Sequence, residues 1–427
     1  MTERSLGAWL AHLERVHPRD IDLSLARVSA VARTLGLTPV SSRVLSVAGT
    51  NGKGSVVYAS DAILRAHGKR VGRYTSPHLR RFNERIAVDG EPASDAAIGR
   101  AFAAIEEARG AVTLTYFEFA TLAALWLFRR AAVDVAVLEV GLGGRLDAVN
   151  IVDADIAVIT AIALDHQHWL GESVEQIAPE KAALARAGRP VVLAEPAYPP
   201  SLFATLRTLG AAVLRAGDAW AWSEREAPGQ PGGAVQVQLA GEHRERRLPI
   251  PPGLCAANVA AAAQATAWLM RDEFSAPAAA AALSALRVPA RRQRLVHAGR
   301  ELVLDVAHNP AAMQALAGYL QARPGAGRTL AIFGVMQDKD VPAMARALAG
   351  AVDEVLALAL PGIDRAAPPH SVREHLERAG MATARADAGA RAVWQQALAA
   401  TAAGDRIVVC GSFHSVAGIM ELLHLAV

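Results

Sequence analysis

The alternation of apolar and polar positions changes character along this chain, and each change marks a part of the molecule. Leu6–Val16 and Leu23–Leu35 repeat apolar residues at the spacing of one helix face, with Pro18 between them. A run of apolar and β-branched residues, Val44–Ala48, reads as a buried strand, and a helix-compatible run follows it to about Ala66. The pattern then predicts a strand at Arg70–Tyr74 and helices at Asp95–Arg109 and Tyr116–Phe128. Near-continuous apolar strands follow at Asp134–Val140 and Asp155–Ala163, then a helix at Val174–Ala187 and a strand at Pro190–Ala194. Strands that are apolar on both faces belong inside a parallel sheet covered by helices.

From Gly217 to Pro252 the segments become short, polar and punctuated by glycine and proline, which predicts a small antiparallel sheet. Alanine-rich helices are expected at Ala256–Met270 and Pro277–Leu286. A basic, proline-containing stretch, Val288–Leu295, then separates this half from a second β/α alternation. Its strands are expected at Glu301–Val306, Thr329–Val335, Glu354–Leu360 and Arg406–Cys410. Its helices are expected at Ala311–Ala322, Val341–Ala351, Ser371–Ala379 and Ala390–Ala402. The predicted class is α/β. A P-loop-type, mostly parallel sheet with a small antiparallel sheet occupies residues 1–288, and a smaller Rossmann-like, doubly wound domain occupies 289–427.

Composition narrows the function. The 427 residues suit two domains, and 52% hydrophobic content is ample for two cores. The net charge is +3 with arginines scattered, which argues against a nucleic-acid surface and for a local surplus around an anionic substrate. Cys255 and Cys410 lie far apart in apolar runs and read as buried thiols in a reducing compartment. The first residues mix acid and base without a long apolar core, unlike a secretory signal. The longest apolar run, Phe119–Phe128, is too short to span a bilayer. A cytoplasmic protein with no membrane or nucleic-acid partner is expected.

The chemistry begins at V-A-G-T-N-G-K-G-S, Val47–Ser55. Strand, glycine loop and helix together point backbone N–H groups and a helix dipole at an anion. Lys53 would meet the β/γ-phosphates of ATP, with Ser55 able to reach a metal. The match to the general phosphate-loop pattern is imperfect: Val47 stands where the first glycine belongs, and Gly54 separates Lys53 from Ser55. The bland reading is a glycine turn with a solvated lysine. Four further places carry candidate chemistry. The loop T-S-P-H-L-R-R-F-N-E-R, Thr75–Arg85, concentrates Ser76, His78, Arg81 and Arg85. Glu139 ends a strand, where it suits Mg²⁺ or is a capped acid, and His166 follows the next strand. Asp305, His308 and Asn309, and Ser412, Phe413 and His414, follow the first and last strands of the second domain.

Together these stretches resemble the folylpolyglutamate synthase/dihydrofolate synthase family of the Mur ligase superfamily. The resemblance rests on the phosphate loop, the Thr75–Arg85 loop, L-E-V-G-L-G-G-R-L-D-A-V-N, I-A-L-D-H-Q-H-W-L-G, D-V-A-H-N-P and V-C-G-S-F-H-S-V-A, in family order over essentially the whole chain. It looks most like the bacterial bifunctional members. The resemblance implies ATP-dependent addition of L-glutamate to dihydropteroate and to reduced folates through an acyl phosphate. It further implies site assignments that follow the motifs: ATP on Thr50, Asn51, Gly52, Lys53, Gly54, Ser55, Asn258, Arg291, Asp305 and His308, bridging the two domains. Ser76, Glu139 and His166 would hold Mg²⁺, with two ions and a monovalent cation such as K⁺ as the implied set. Lys53, His166 and Lys181 would be catalytic, Lys181 as an N-carboxylated lysine, and Arg81 or Arg291 would help neutralise charge. The pteroate pocket would be lined by Asp22, Leu23, Ser24, Leu25, Thr115, Tyr116, Phe117, Glu118, Leu146, Asp147 and Ala148. Such ligases are commonly monomers. Two departures stand out: P-A-R-R-Q around Arg291 where the family reads P-G-R-F-Q, and Ser24 where relatives often carry glycine. A cell-wall Mur ligase, a nucleotide switch and a metabolite-binding module are the rival readings. The first would not carry T-S-P-H-L or S-F-H-S-V, the second needs no Asp305 and His308, and the third leaves Lys53, Glu139 and His166 unexplained.

Overall fold

A computed structural model of the chain describes residues 4–19, 21–226 and 233–425. The extreme N-terminus and residues 227–232 of the Gly/Pro-punctuated stretch therefore lie outside the described residues. The chain divides into two compact units, 1–162 with 170–286 and 163–169 with 287–427. Residues 163–169, which the sequence groups with the first domain, pack with the second unit.

The first unit is built on eight strands: β1 Arg43–Ala48, β2 Val71–Tyr74, β3 Ile86–Val88, β4 Glu91–Pro92, β5 Val135–Glu139, β6 Ile156–Ile159, β7 Pro190–Leu193 and β8 Ala212–Arg215. Their spatial order is β4-β3-β2-β5-β1-β6-β7-β8. The run from β2 to β8 is parallel, and β3 and β4 add an antiparallel edge. Central β1 carries Leu45 and Val47 at zero exposure, each burial contributing roughly 1.5–3 kcal/mol. Helices Lys53–Ala66 and Tyr116–Arg130 cover the sheet. The second begins at a reciprocal cap, in which Thr115 and Glu118 each accept the other's backbone N–H. The small sheet is antiparallel, β9 Ala221–Arg225, β10 Ala234–Gln238 and β11 Glu245–Pro249, in the order β11-β10-β9.

The second unit contains β12 Gln293–His297, β13 Arg300–Leu304, β14 Thr329–Phe333, β15 Glu354–Leu358, β16 Ala382–Ala388 and β17 Arg406–Cys410. Their order is β12-β13-β17-β14-β15-β16, parallel except for β12. The α/β class and the two parallel-sheet units match the expectation. Several details differ. β12 begins inside the stretch expected to be a linker; its sequence, Q-R-L-V-H, has no apolar run, and Val296 is exposed. β16, A-T-A-R-A-D-A, is equally poor in large apolar residues and escapes a hydrophobicity pattern. β6 stops at Ile159, four residues short of the expected end, so His166 belongs to the segment beyond the strand and not to its tip. Cys410 is fully buried, and burial pushes its thiol up; Cys255 is only half-buried, at the position that precedes the helix Ala256–Met270. No helix among the described residues is long and apolar enough to cross a membrane.

Candidate active site

The glycine loop at the end of β1 is shaped by close approach. Gly49 has φ +146°, and a Cβ there would clash with the side chain of Thr160. Gly52 has φ +93° and caps the helix Lys53–Ala66; a Cβ there would come within 2.6 Å of the Asn258 amide. Both positions favour glycine for conformation and for space. The loop is tied to the next strand region by the Thr50 N–H, which donates to the Ala161 carbonyl at 2.8 Å. Within this turn the Lys53 Nζ donates to the Gly49 and Thr50 carbonyls, both at 3.2 Å. Ser55 is buried in the first turn of the helix. Thr50, Asn51, Gly52, Lys53, Gly54, Ser55 and Asn258 thus form one neighbourhood in the first unit.

Lys181 reaches the same loop from the helix Val174–Ala182. Its Nζ donates to the Gly49 carbonyl at 2.9 Å, and the residue is 3% exposed. A solvated lysine paired with Glu180 or Glu175 is therefore not what the fold holds. Glu180 instead accepts from Arg145 Nε at 2.9 Å, and Glu175 accepts from the Ser201 N–H at 3.0 Å.

Glu139 ends β5 opposite Val47 of β1 and is buried. Its Oε2 accepts the Ser76 N–H at 3.2 Å, which brings these two metal candidates together in the first unit. The rest of that loop is pinned by Glu84, whose carboxylate accepts the N–H groups of Leu79, Arg80 and Arg81. Arg81 is exposed and pairs with Asp95 at 3.0 Å, so it is poorly suited to the charge-neutralising role expected of it. Arg85 from the same loop is buried instead.

The segments expected on the pteroate side come together in the first unit, where the helices Leu25–Thr34 and Tyr116–Arg130 both pack on the turn Ala148–Ile151. Asp147 Oδ2 accepts from Gly141 N at 3.0 Å and Leu142 N at 2.8 Å, while Oδ1 accepts from Val149 N at 2.9 Å. Burial raises its carboxyl to about 6, against the opposing pull of these N–H groups and the Lys53 charge. Ala148 is buried just after it. Asp22 and Glu118 are joined by a residue the sequence reading missed. Arg27 donates to the Asp22 carbonyl at 2.8 Å, lies 3.2 Å from the Asp22 carboxylate, and reaches Glu118 at 3.1 Å. Ser24 caps the helix Leu25–Thr34 by accepting the Ala26 N–H at 3.3 Å.

In the second unit, Asp165 gathers a polar cluster. It accepts from Lys339 Nζ at 2.6 Å, from Asn309 Nδ2 at 2.9 Å and from the His166 N–H at 2.8 Å, with His308 Nε2 at 3.5 Å. The His308 Nδ1 lies 2.8 Å from the Val306 carbonyl, a contact that requires a proton on Nδ1. Burial alone would raise the Asp165 carboxyl, but the His308 hydrogen bond and the charges of His166, Lys339 and His308 hold it well below the usual range. Asp165 and Lys339 are not among the expected site residues; the signals for Asp165 are its place in the motif I-A-L-D-H-Q-H-W-L-G and the adjacent His166, and Q-D-K-D around Lys339 gives none. Asp305 follows β13 and is buried, its oxygens accepting the Arg292 N–H at 2.9 Å and the Ala307 N–H at 2.7 Å. Burial raises its carboxyl, opposed by the charges of Arg292 and Arg291. Arg291 stacks over Phe413 at 5.4 Å and Arg292 over Tyr319 at 5.2 Å, so an arginine–tyrosine contact stands where the family motif has phenylalanine. Ala290 has φ +52°, the region that suits the family's glycine. Among the described residues, no group of three or more His, Cys, Asp or Glu side chains is arranged to hold a metal ion.

Comparison with known proteins adds the following. Residues 47–265 match the Mur ligase middle domain, and residues 290–413 match the Mur ligase glutamate ligase domain. The chain is 41% identical over 418 residues to the dihydrofolate synthase/folylpolyglutamate synthase of Escherichia coli K12, covering 98% of this chain and 95% of that protein. The E. coli FolC structure in complex with DHPP and ADP aligns with a TM-score of 0.90 at 40% identity, covering 98% of both chains. A bifunctional folylpolyglutamate synthase/dihydrofolate synthase with Mn, AMPPNP and L-glutamate bound aligns with a TM-score of 0.88 at 41% identity, covering 99% of this chain and 98% of that one.

Proposed function

The chain belongs to the dihydrofolate synthase/folylpolyglutamate synthase family of Mur ligases, and from that membership we propose how its residues share the reaction. The enzyme is an ATP-dependent glutamate ligase that serves dihydrofolate synthesis and folate polyglutamylation. It uses ATP and a divalent metal, and dihydropteroate and L-glutamate are substrates, with reduced folates as the polyglutamylation acceptors.

The chemical problem is that a carboxylate and an amine do not condense in water. The proposed route is transfer of the γ-phosphoryl group to the substrate carboxylate, followed by attack of the glutamate amine on the acyl phosphate. The observation that carries this reading is the loop in which Lys53 is held by the Gly49 and Thr50 carbonyls. A cation oriented by neutral dipoles keeps its charge for a phosphate. In this reading Thr50, Asn51, Gly52, Lys53, Gly54 and Ser55 receive phosphates, while Asn258, Arg291, Asp305 and His308 are the remaining nucleotide contacts. The Asp22–Leu25, Thr115–Glu118 and Leu146–Ala148 segments orient the pteroyl group.

The donor set supports Mg²⁺ as the divalent ion. Glu139 is a buried carboxylate and Ser76 a neighbouring hydroxyl, both hard oxygen donors, whereas the His166 nitrogen is the less usual member. When bound, such an ion would offset phosphate charge during the transfer. Two Mg²⁺ ions, a monovalent cation such as K⁺, and a monomer working in the cytoplasm complete the proposal. Lys181 is proposed to carry a carbamate. Its burial with Nζ on the Gly49 carbonyl of the glycine loop supports this reading, and carboxylation would make it a hard-oxygen donor.

The test is phosphate release from ATP with L-glutamate and Mg²⁺, measured with dihydropteroate and with tetrahydrofolate in parallel. Both acceptors should trigger release and yield a glutamylated product; release with neither would overturn the reading. For the carbamate, Lys181→Ala should still bind ATP, ligate about 100-fold more slowly, and recover partly in formate, on the scale expected for one lost catalytic group. A fully active Lys181→Ala enzyme would end that part of the proposal.

A further inference from the structure

Three arginines among the described residues are buried, and they differ in what balances their charge. Arg73 is 6% exposed and meets Asp61 at 3.0 Å. Arg406 is 5% exposed and meets Glu301 at 2.7 Å. Arg85, at 8% exposed, has no carboxylate within ion-pair distance among the described residues. Its Nε donates to His78 Nδ1 at 2.8 Å, and its guanidinium lies 5.6 Å from the Phe82 ring and 5.5 Å from the Tyr116 ring. Two aromatic faces and one imidazole nitrogen hold the group in place without cancelling its charge. A buried cation left in that state is costly unless an anion completes it.

The surroundings identify the anion. Tyr116 opens the helix at the Thr115–Glu118 segment, on the pteroate side. The Arg85 carbonyl accepts the Thr75 N–H at 2.9 Å, next to Ser76, whose own N–H is on Glu139. Arg85 therefore stands where the pteroate side meets the loop assigned to the metal. The Tyr74 and Tyr116 hydroxyls near it are pushed up by burial and stay neutral, so neither supplies the missing negative charge. The residues do not include a carboxylate for Arg85, but the substrate does.

We propose that Arg85 receives, through its two Nη groups, the substrate carboxylate that the reaction converts to an amide. The proposal rests on the ligase reading above. A guanidinium fork matches a carboxylate in two parallel hydrogen bonds, which would align one oxygen for phosphoryl transfer. His78, bonded through Nδ1 to Arg85, is a positioning residue in this scheme. The aryl carboxylate of dihydropteroate and the aliphatic γ-carboxylate of reduced folates would be received in turn by the same guanidinium, so both activities depend on Arg85.

The test compares binding of dihydropteroate with binding of its uncharged carboxamide, by fluorescence titration in the presence of ADP. The wild-type enzyme should prefer the carboxylate by about 30-fold, the scale of a hydrogen bond between charged groups. Arg85→Met, which keeps an unbranched apolar chain between the two rings, should lose that preference, while Arg85→Lys should keep part of it. ADP binding should stay near wild type and the urea midpoint should not fall, since the variant removes an uncompensated buried charge. Equal weakening of both ligands by Arg85→Met, or an undiminished preference in it, would overturn the proposal. So would the absence of any preference in the wild-type enzyme, a result that does not depend on the variant folding. If wild-type protein makes dihydrofolate yet Arg85→Met retains the preference, only Arg85 is misassigned; if wild-type protein makes no product at all, the ligase reading itself fails.

Discussion

The two units give the same pair of residue types opposite partners. In the first, Lys53 donates to two backbone carbonyls and Asp147 accepts from three backbone N–H groups. In the second, Lys339 and Asp165 meet each other at 2.6 Å, with His308 and Asn309 joining the carboxylate. The carboxyl held by neutral dipoles is raised by its burial, whereas the one held beside cations is depressed despite its burial. Neutral dipoles orient a charge and leave its field available to a ligand; an ion pair fixes the fold and consumes the field. By this criterion the glycine-loop region is arranged to receive charged substrates, whereas the Asp165–Lys339 pair is a framework that holds His166 and His308 in position.

The largest effect should come from removing the available charge. Lys53→Ala should lower ligation by about 10³-fold, the loss expected for a preorganised electrostatic contact to developing charge. Its urea unfolding free energy should remain within about 0.5 kcal/mol of wild type, since only two carbonyl contacts are lost. Near-wild-type turnover would break the comparison at its first term. The complementary change is Asp165→Ala, which leaves the Lys339 ammonium, with a side chain only 7% exposed, without its close partner. Removing one member of a buried pair should cost on the order of 3 kcal/mol in the same unfolding assay. A loss below about 1 kcal/mol, the range of exposed pairs, would show that this cluster is not a framework.

Much of this architecture was legible because the strands that build the sheets are apolar on both faces. Val44–Ala48 and Arg406–Cys410 could be placed from hydrophobicity alone, and Asp95–Arg109 from its helical spacing. β12 and β16 were not legible, since edge strands need little apolar surface and their sequences carry almost none. The glycine loop, Glu139 and Lys181 could be singled out because motif spacing carries over from relatives. Asp165, Lys339, Arg27 and the buried state of Arg85 could not, because their meaning lies in partners distant in sequence. Asp165 meets Lys339 across 174 positions, and Arg27 meets Glu118 across 91. Arg81 and Arg85 look alike in the sequence; only packing decides that one faces solvent and the other two aromatic rings.

The smallest expected effect sharpens the carboxyl half of the comparison. Asp147 is buried, and its carboxyl is raised from 3.8 to about 6, first by burial and against the pull of the Leu142, Val149 and Gly141 N–H groups. An acid whose folded pKa lies above its unfolded value binds its proton more tightly in the folded state. Its contribution to stability is therefore complete below about 3.8 and is lost as pH rises through about 6. Asp147→Asn removes the titration while keeping the side chain's size, although one oxygen that accepts N–H bonds becomes an NH₂ group. The variant will therefore start from a lower stability, and the slope carries the information. Urea unfolding of both proteins, without ligands, should show the wild-type advantage shrinking by on the order of 2 kcal/mol between pH 4 and pH 6.5. Asp165 and the other acids titrate in both proteins and cancel in the difference. An advantage that grows with pH over this window would mean that the three N–H groups outweigh burial. Asp147 would then behave as Asp165 does, and the contrast between the two units would apply to their lysines alone.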